Sequence, residues 1–443
     1  MGDHEQHGGM KMRNSLILPD RPLLDSRDVS RIREDYERFR EGLPERIEAY
    51  LFETYGLDVS ARYGLRAIRN PFGKASGQLS LNVRQVQEDC RARLGFVVLK
   101  TVIAEDADGG RSMKEWAVKE TRMVVGRITG KETGETGWNV TWQGRGWHGS
   151  FGDYLAFFRK ALDIGNENGT VVVPSCKYHL PGGEDEEFRL EEYEYTTRRL
   201  HGVWRQSGAE GPLQMEKDFS PTLAGSGRAR QQTAVLRWLR EVPDKIKSSL
   251  PPGEVALGIK LMNTIFDDEF QIRALRTLIE ESSTPPDYIT YANRLYDQVR
   301  EFGGKIGAAY GGPDLSRRNL RILSLLRKLE LEGELACSLP PLSGTGNVCT
   351  GKIALEYALR GVQSLQMHTV FQKPAGAYSM RRGGKTERAL HDLFFHPEHG
   401  LVPWMLHLRH AQEIRDPEGI TSFLDITEWY RDRGRSWFLG QDE

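Results

Sequence analysis

Residues 334–371, ELACSLPPLSGTGNVCTGKIALEYALRGVQSLQMHTVF, contain the unit that decides the fold. An apolar run, ELACSLPPLSG (334–344), leads through a Gly-rich turn into KIALEYALRG, whose apolar residues recur at helical spacing. A second apolar run, SLQMHTVF (364–371), follows. Strand, helix and strand in this order form a right-handed crossover between parallel strands. The same alternation extends outward in the N-terminal direction. Strand candidates are a first one near Ile68–Ala75, then FVVLKTV (96–102), TVVVPSCK (170–177), PLQMEKDF (212–219), EVALGIKLM (254–262) and DYITYANR (287–294). Helical patterns such as FGDYLAFFRKAL, RQQTAVLRWLREV and QIRALRTLIEE lie between them. About eight such units predict a (β/α)8 TIM barrel, an α/β fold that needs roughly 250 residues.

The 443-residue chain accommodates such a barrel with extensions at both ends and no second independent domain. Residues 1–20 are polar and rich in Gly and His, which predicts a disordered leader, and residues 21–66 form an N-terminal helical extension. Within it, 27–55 reads as two short helices broken at Leu43-Pro44, a cover for the barrel whose charges leave no broad greasy face for a membrane. Residues 67–443 make up the barrel and its closing C-terminal helices. Two Gly- and charge-rich stretches depart from the repeat: 103–145, which reads as a long top-face insertion, and the basic loop KPAGAYSMRRGGKTE (373–387).

Lys+Arg 61 against Asp+Glu 62 gives a formal charge of -1, so no overall field favours nucleic acid or an anionic membrane. Cys90, Cys176, Cys337 and Cys349 are scattered without a C-x-x-C pair, which argues against a disulfide framework, a zinc site or an iron–sulfur cluster. A reducing cytoplasm fits best. No stretch reaches the 18 or so apolar residues of a membrane span, so no integral membrane segment is expected, and a homodimer is compatible with the sequence.

In barrels of this type the chemistry sits where the strands end. Those ends are polar here: Asn70-Pro-Phe-Gly-Lys-Ala-Ser-Gly77, Lys100-Thr101, Lys260, Asn293, Ser343-Gly-Thr-Gly-Asn347 and Gln366-Met-His-Thr369. The last two stand where barrels bind phosphate, on the loops after the seventh and eighth strands.

The succession NPFGKASG, VVLKT, GIKL, GKIGAAYGG (304–312) and SGTGNVCTGKIALEYALRGVQSLQMHT resembles the FMN barrel of dihydroorotate dehydrogenases and the related barrel of dihydropyrimidine dehydrogenase, over roughly residues 68–430. The resemblance implies FMN as cofactor, with Ala75, Ser76 and Gly77 along the flavin and Lys100 and Thr101 at the ring and substrate edge. It implies Lys260 at the pyrimidine edge of the ring, Gly307 and Gly344 at the cofactor, and Gly346, Asn347, His368 and Thr369 as the phosphate clamp. Asn347 and His368 depart from the family, which usually has glycines there.

The family places a Ser or Cys base on the loop after the fourth strand. Ser220, in Ser220-Pro221-Thr222-Leu-Ala-Gly225, matches it; Cys176, in VVVPSCKYHLPGG, imitates the same loop from a position better suited to the third strand. Lys100 joins them as a catalytic candidate. The substrate-reading positions hold His148, Lys217, Thr222 and Asn293, of which only Asn293 keeps the family's asparagine. The resemblance implies hydride transfer between flavin N5 and a CH–CH or C=C bond of a small, polar, pyrimidine-like ring, with a separate electron acceptor that the sequence does not identify. Oxidation of dihydroorotate in pyrimidine biosynthesis is the first alternative, and a redox-inactive barrel serving as a binding or scaffold protein the second.

Overall fold

The computed structural model describes residues 16–119, 123–141, 146–183, 185–219, 231–414 and 418–440. Its centre is one curled sheet of ten strand segments, every neighbouring pair parallel. In spatial order these are Val102–Ile103, Ser175–Lys177, Leu213–Asp218, Val255–Met262, Tyr288–Asn293, Leu342–Thr345, Val362–Met367, Phe72–Lys74, Phe96–Val98 and Val171–Val173. The segments at the two ends belong to the same two stretches of chain. Val171–Val173 and Ser175–Lys177 flank Pro174, which has no N–H to give to a ladder. Cys176 pairs with Val102 at one end, and Val172 pairs with Val97 at the other. The arrangement is TIM-barrel-like.

The strands carry almost continuous burial, as parallel strands covered on both faces must. Val255–Met262 and Leu213–Asp218 are buried at every residue. Helices between the strands cover the outside. Phe151–Asn168 starts on Ser150, whose hydroxyl accepts from the Asp153 N–H, and stops at left-handed Gly169.

Two features complete the frame. An antiparallel hairpin, Ala61–Tyr63 with Arg66–Ile68, closes the end where the strands begin. There the Tyr63 ring stacks on Phe96 at 3.9 Å, meets Tyr288 edge-on at 5.2 Å, and its carbonyl accepts from Gln214 Nε2 at 2.9 Å. The helices Ser26–Arg38 and Ile47–Tyr55 lie against Lys385–Phe395, with Tyr36 stacked on His391 at 4.6 Å and Phe39 against Phe395 at 4.8 Å. Of the leader, residues 16–20 depart from expectation. Ile17 and Leu18 donate their N–H groups to the Glu356 carboxylate at 3.0 and 2.8 Å, and Leu18 is buried. Glu356 is itself paired with Arg360 at 2.8 Å in the interior, so the segment supplies acceptor-hungry backbone to a carboxylate already committed to burial. Among the described residues no helix is long and apolar enough to cross a membrane.

Candidate functional site

A cavity of about 970 Å³ opens at the end of the sheet where the strands finish. The lining residues are the last of each strand or those just beyond it: Ala75 and Ser76, Lys100 and Thr101, Asp218, Lys260 and Met262, Asn293 and Arg294, Thr345 to Cys349, and Gln366 to Val370. Two antiparallel hairpins form the opposite wall. Val124–Thr129 with Thr136–Thr141 belongs to the 103–145 insertion. Leu295–Phe302 with Lys305–Tyr310 follows the Tyr288–Asn293 strand directly. The hairpins join through an ion pair of Lys131 with Asp297, a hydrogen bond from Arg300 to the Thr129 carbonyl at 3.1 Å, and Phe302 lying over Gly126. They bring Trp138, Tyr296 and Phe302 to the cavity.

Alternation along the strands decides which side chains reach this floor. Glu216 and Asp218 point inward and Lys217 outward. Glu216 is fully buried, and its Oε2 accepts from Tyr63 Oη at 3.1 Å, Thr290 Oγ1 at 3.0 Å and Gln366 Nε2. Gln366 turns its Oε1 to Lys260 Nζ at 3.0 Å, while Lys260 stands 3.8 Å from Glu216 Oε1. Burial raises the Glu216 carboxyl, and nearby Lys260 opposes that rise. Beside this network, Thr101 Oγ1 lies 2.8 Å from Ser76 Oγ and 3.0 Å from Ser175 Oγ, and donates to Asp218 Oδ2 at 3.2 Å. Lys100 is 2% exposed. Burial pushes its ammonium down to about 8, with Asp218 working against the shift and Lys177 and Lys260 adding to it.

The Gly-rich end of the cavity is built to let backbone come close. Gly346 has φ +105°, and a Cβ there would sit 2.6 Å from Asn319 Nδ2 and 2.7 Å from the Ala292 carbonyl. Asn319 Nδ2 donates to the carbonyls of Ala292 and Thr345, both at 2.8 Å, and so ties two strand ends together. Asn347 adopts φ +53°, which its short polar side chain tolerates, and donates to Ser316 Oγ at 2.9 Å. The His368 ring packs against Gly77, where a Cβ would come within 2.6 Å of it. Burial holds His368 well below the usual histidine range, and Arg294, Lys74, Lys100 and Lys260 each press it further down, so the imidazole is neutral at physiological pH. Basic side chains on the cavity wall, Lys100, Arg127, Lys260, Arg294 and Lys373, outweigh the acidic Glu115 and Asp218.

The structure therefore gathers Ala75, Ser76, Lys100, Thr101, Lys260, Asn293, Gly307, Gly346, Asn347, His368 and Thr369 around one space. Gly307 reaches it from the second hairpin rather than from a strand end. Other candidates lie elsewhere. Gly344 faces outward onto Tyr357, Val362 and Leu365. Cys176 points away from the cavity next to inward-facing Ser175, hydrogen-bonds Tyr178, and burial pushes its thiol up to about 12. That is the environment of an inert core cysteine, not of a base. Lys217 is buried with its Nζ 4.6 Å from the Phe219 ring centroid, and burial lowers it to about 7. His148 is exposed beside Trp147. Ser220 and Thr222 lie outside the described residues.

Sequence reasoning assigned no role to Asp218, Arg294, Gln366, the Gly311-Gly312 pair and the hairpin residues other than Gly307. Asp218 was legible, since it ends an apolar run two positions from Glu216, and so was Gln366. The second hairpin also left a trace: Gly303-Gly304 separates two runs of β-forming residues, the usual signal of a two-residue hairpin turn. Neither a family model nor a curated protein matches the chain.

Proposed function

We propose that the protein is an FMN-dependent oxidoreductase on a (β/α)8 barrel, acting on a CH–CH or C=C bond of a small polar ring. The ten strand segments count as eight barrel strands once the two interrupted stretches, 96–103 and 171–177, are each taken as one. The reading is carried by one observation: residues up to 298 positions apart, from Ala75 to Lys373, meet in one cavity with a cationic wall and a Gly-rich end. Its volume, about 970 Å³, is at the top of the roughly 300–1,000 Å³ range of ligand pockets and suits a cofactor with a small substrate beside it.

The residues present fit FMN. Ala75 and Ser76 offer a small-residue edge for a flat ring, whereas Gly77, covered by the His368 ring, does not line the cavity; Lys260 offers a cation tethered by Gln366, and Gly346 with Asn347 a close backbone approach for a phosphate. Bound FMN supplies hydride exchange at N5. The chain's own part is to place the ring and substrate, exclude water and handle the proton that leaves the substrate carbon adjacent to the one losing hydride. Ser220 is the base implied by the resemblance, and Lys100 and Asp218 are ionisable groups on the described wall of the cavity. Asn293 reaches the cavity, but His148 and Lys217 do not. The substrate is thus read by a different set of donors and acceptors from the asparagines that hold orotate, and a pocket rejects ligands that leave its polar groups unpaired.

The test is anaerobic addition of dihydroorotate, dihydrouracil and other saturated cyclic amides to the FMN-loaded protein, following loss of the flavin's visible bands. Bleaching by one of them supports the reading. A loaded protein inert toward every CH–CH donor, and toward C=C acceptors after chemical reduction, overturns it.

A further inference from the structure

We propose that Arg294 is the charged element of a binding site for a phosphate monoester, completed by the backbone of Gly346 and Asn347 and by the ring of His368. Arg294 follows Asn293 at the mouth of its strand and lines the cavity. Its root lies beside the Gly-rich loop, because the Ala292 carbonyl two residues earlier is the group that a Cβ on Gly346 would strike, and Asn319 binds Ala292 and Thr345 together. The guanidinium is held in place by its Nη1, which donates to Asn139 Oδ1 and to the Ala309 carbonyl, both at 3.2 Å. Both acceptors are neutral and come from the two hairpins, so the fork is oriented without any carboxylate in these two bonds.

Burying a guanidinium is costly, and burial lowers that of Arg294 to about 10. Positive potential around it is strong: Arg294 acts on His368 together with Lys74, Lys100 and Lys260. A dianion in this end of the cavity meets a rigid fork suited to two of its oxygens, backbone N–H groups of a Gly-Asn turn, and a neutral imidazole that can donate or accept. The identity of the monoester as FMN rests on the function proposed above; the anion site itself does not.

The experiment compares wild type with Arg294→Gln, using full-length protein titrated with FMN, riboflavin and inorganic phosphate, read by flavin fluorescence and by melting temperature. Arg294→Gln is expected to weaken FMN by about 10- to 100-fold, the scale of a hydrogen-bonded charge, and to leave riboflavin affinity unchanged. Inorganic phosphate raises the melting temperature of wild type and not of the variant. Equal losses for FMN and riboflavin assign Arg294 to holding the hairpins and overturn the proposal, as does unchanged FMN affinity. If wild type binds neither flavin but responds to phosphate through Arg294, the anion site stands and the flavin reading falls; no response to any of the three overturns both. Should Arg294→Gln fail to fold, Arg294→Lys keeps the charge without the fork and is expected to lose part of the FMN affinity alone, with an equal loss for riboflavin again counting against the site.

Discussion

The floor and the roof of the cavity are built on opposite principles. The floor consists of strand ends whose polar groups are buried and linked to one another, with Glu216 serving three donors and Lys260 held between Gln366 and Glu216. The roof consists of two hairpins held by contacts near the surface: the Lys131–Asp297 pair, in which Lys131 is 59% exposed, joins them, and the Arg317–Glu135 pair at 3.2 Å ties the first hairpin to the helix Pro313–Glu332. A floor of this kind fixes positions to within the play of a packed core. A roof of this kind is free to differ in sequence and to choose the ligand. In the proposed function, cofactor placement accordingly belongs to the floor and substrate choice to the roof.

The contrast is sharpest in stability. Glu216→Ala removes one partner from a dry network and leaves Lys260 and Gln366 facing a hole, which should cost about 3–5 kcal/mol in denaturant unfolding. Lys131→Ala in the roof should cost less than about 1 kcal/mol, because the Lys131 side chain is mostly in water. Comparable losses from the two variants would erase the distinction between floor and roof. A second pair of variants separates the roles in binding. Gly346→Ala drives a methyl into Asn319 and the Ala292 carbonyl at a φ that alanine resists, and should abolish stable FMN retention. Phe302→Ala, on the roof, should leave FMN bound and change which substrates bleach it.

These two regions also differ in how far the sequence discloses them. Periodicity assigned the strands, and the rule that barrel chemistry sits at strand ends then led to Lys100, Thr101, Lys260, Asn293, His368 and Thr369, all of which line the cavity. The same alternation, applied strictly, also separates Asp218 from Lys217 and Ser175 from Cys176; resemblance to the family's substrate-reading positions drew attention to Lys217, and to its base loop drew attention to Cys176, instead. Roof residues obey no such rule. Trp138 and Tyr296 reach the site only because two hairpins fold over it, and their position depends on contacts between segments more than 150 residues apart. The hairpin at the opposite end of the curled sheet was hidden for a similar reason: Tyr63 sits in a stretch whose helices dominate the pattern.

The smallest effect expected is one of pH. With its ammonium lowered to about 8, Lys100 carries its charge below that pH and loses it above, so the attraction of the floor for an anionic ligand is present at pH 7 and fades toward pH 9. FMN affinity should fall by about two- to tenfold over that interval in wild type and stay level in Lys100→Met. A slope that survives in Lys100→Met would assign the titration to another group.

The cofactor is the most direct test of the proposed function. Purified protein should be yellow, its absorption spectrum that of an oxidised flavin, and acid release should yield FMN in a one-to-one ratio with the chain. Colourless protein that FMN does not reconstitute, or release of FAD instead, would contradict it.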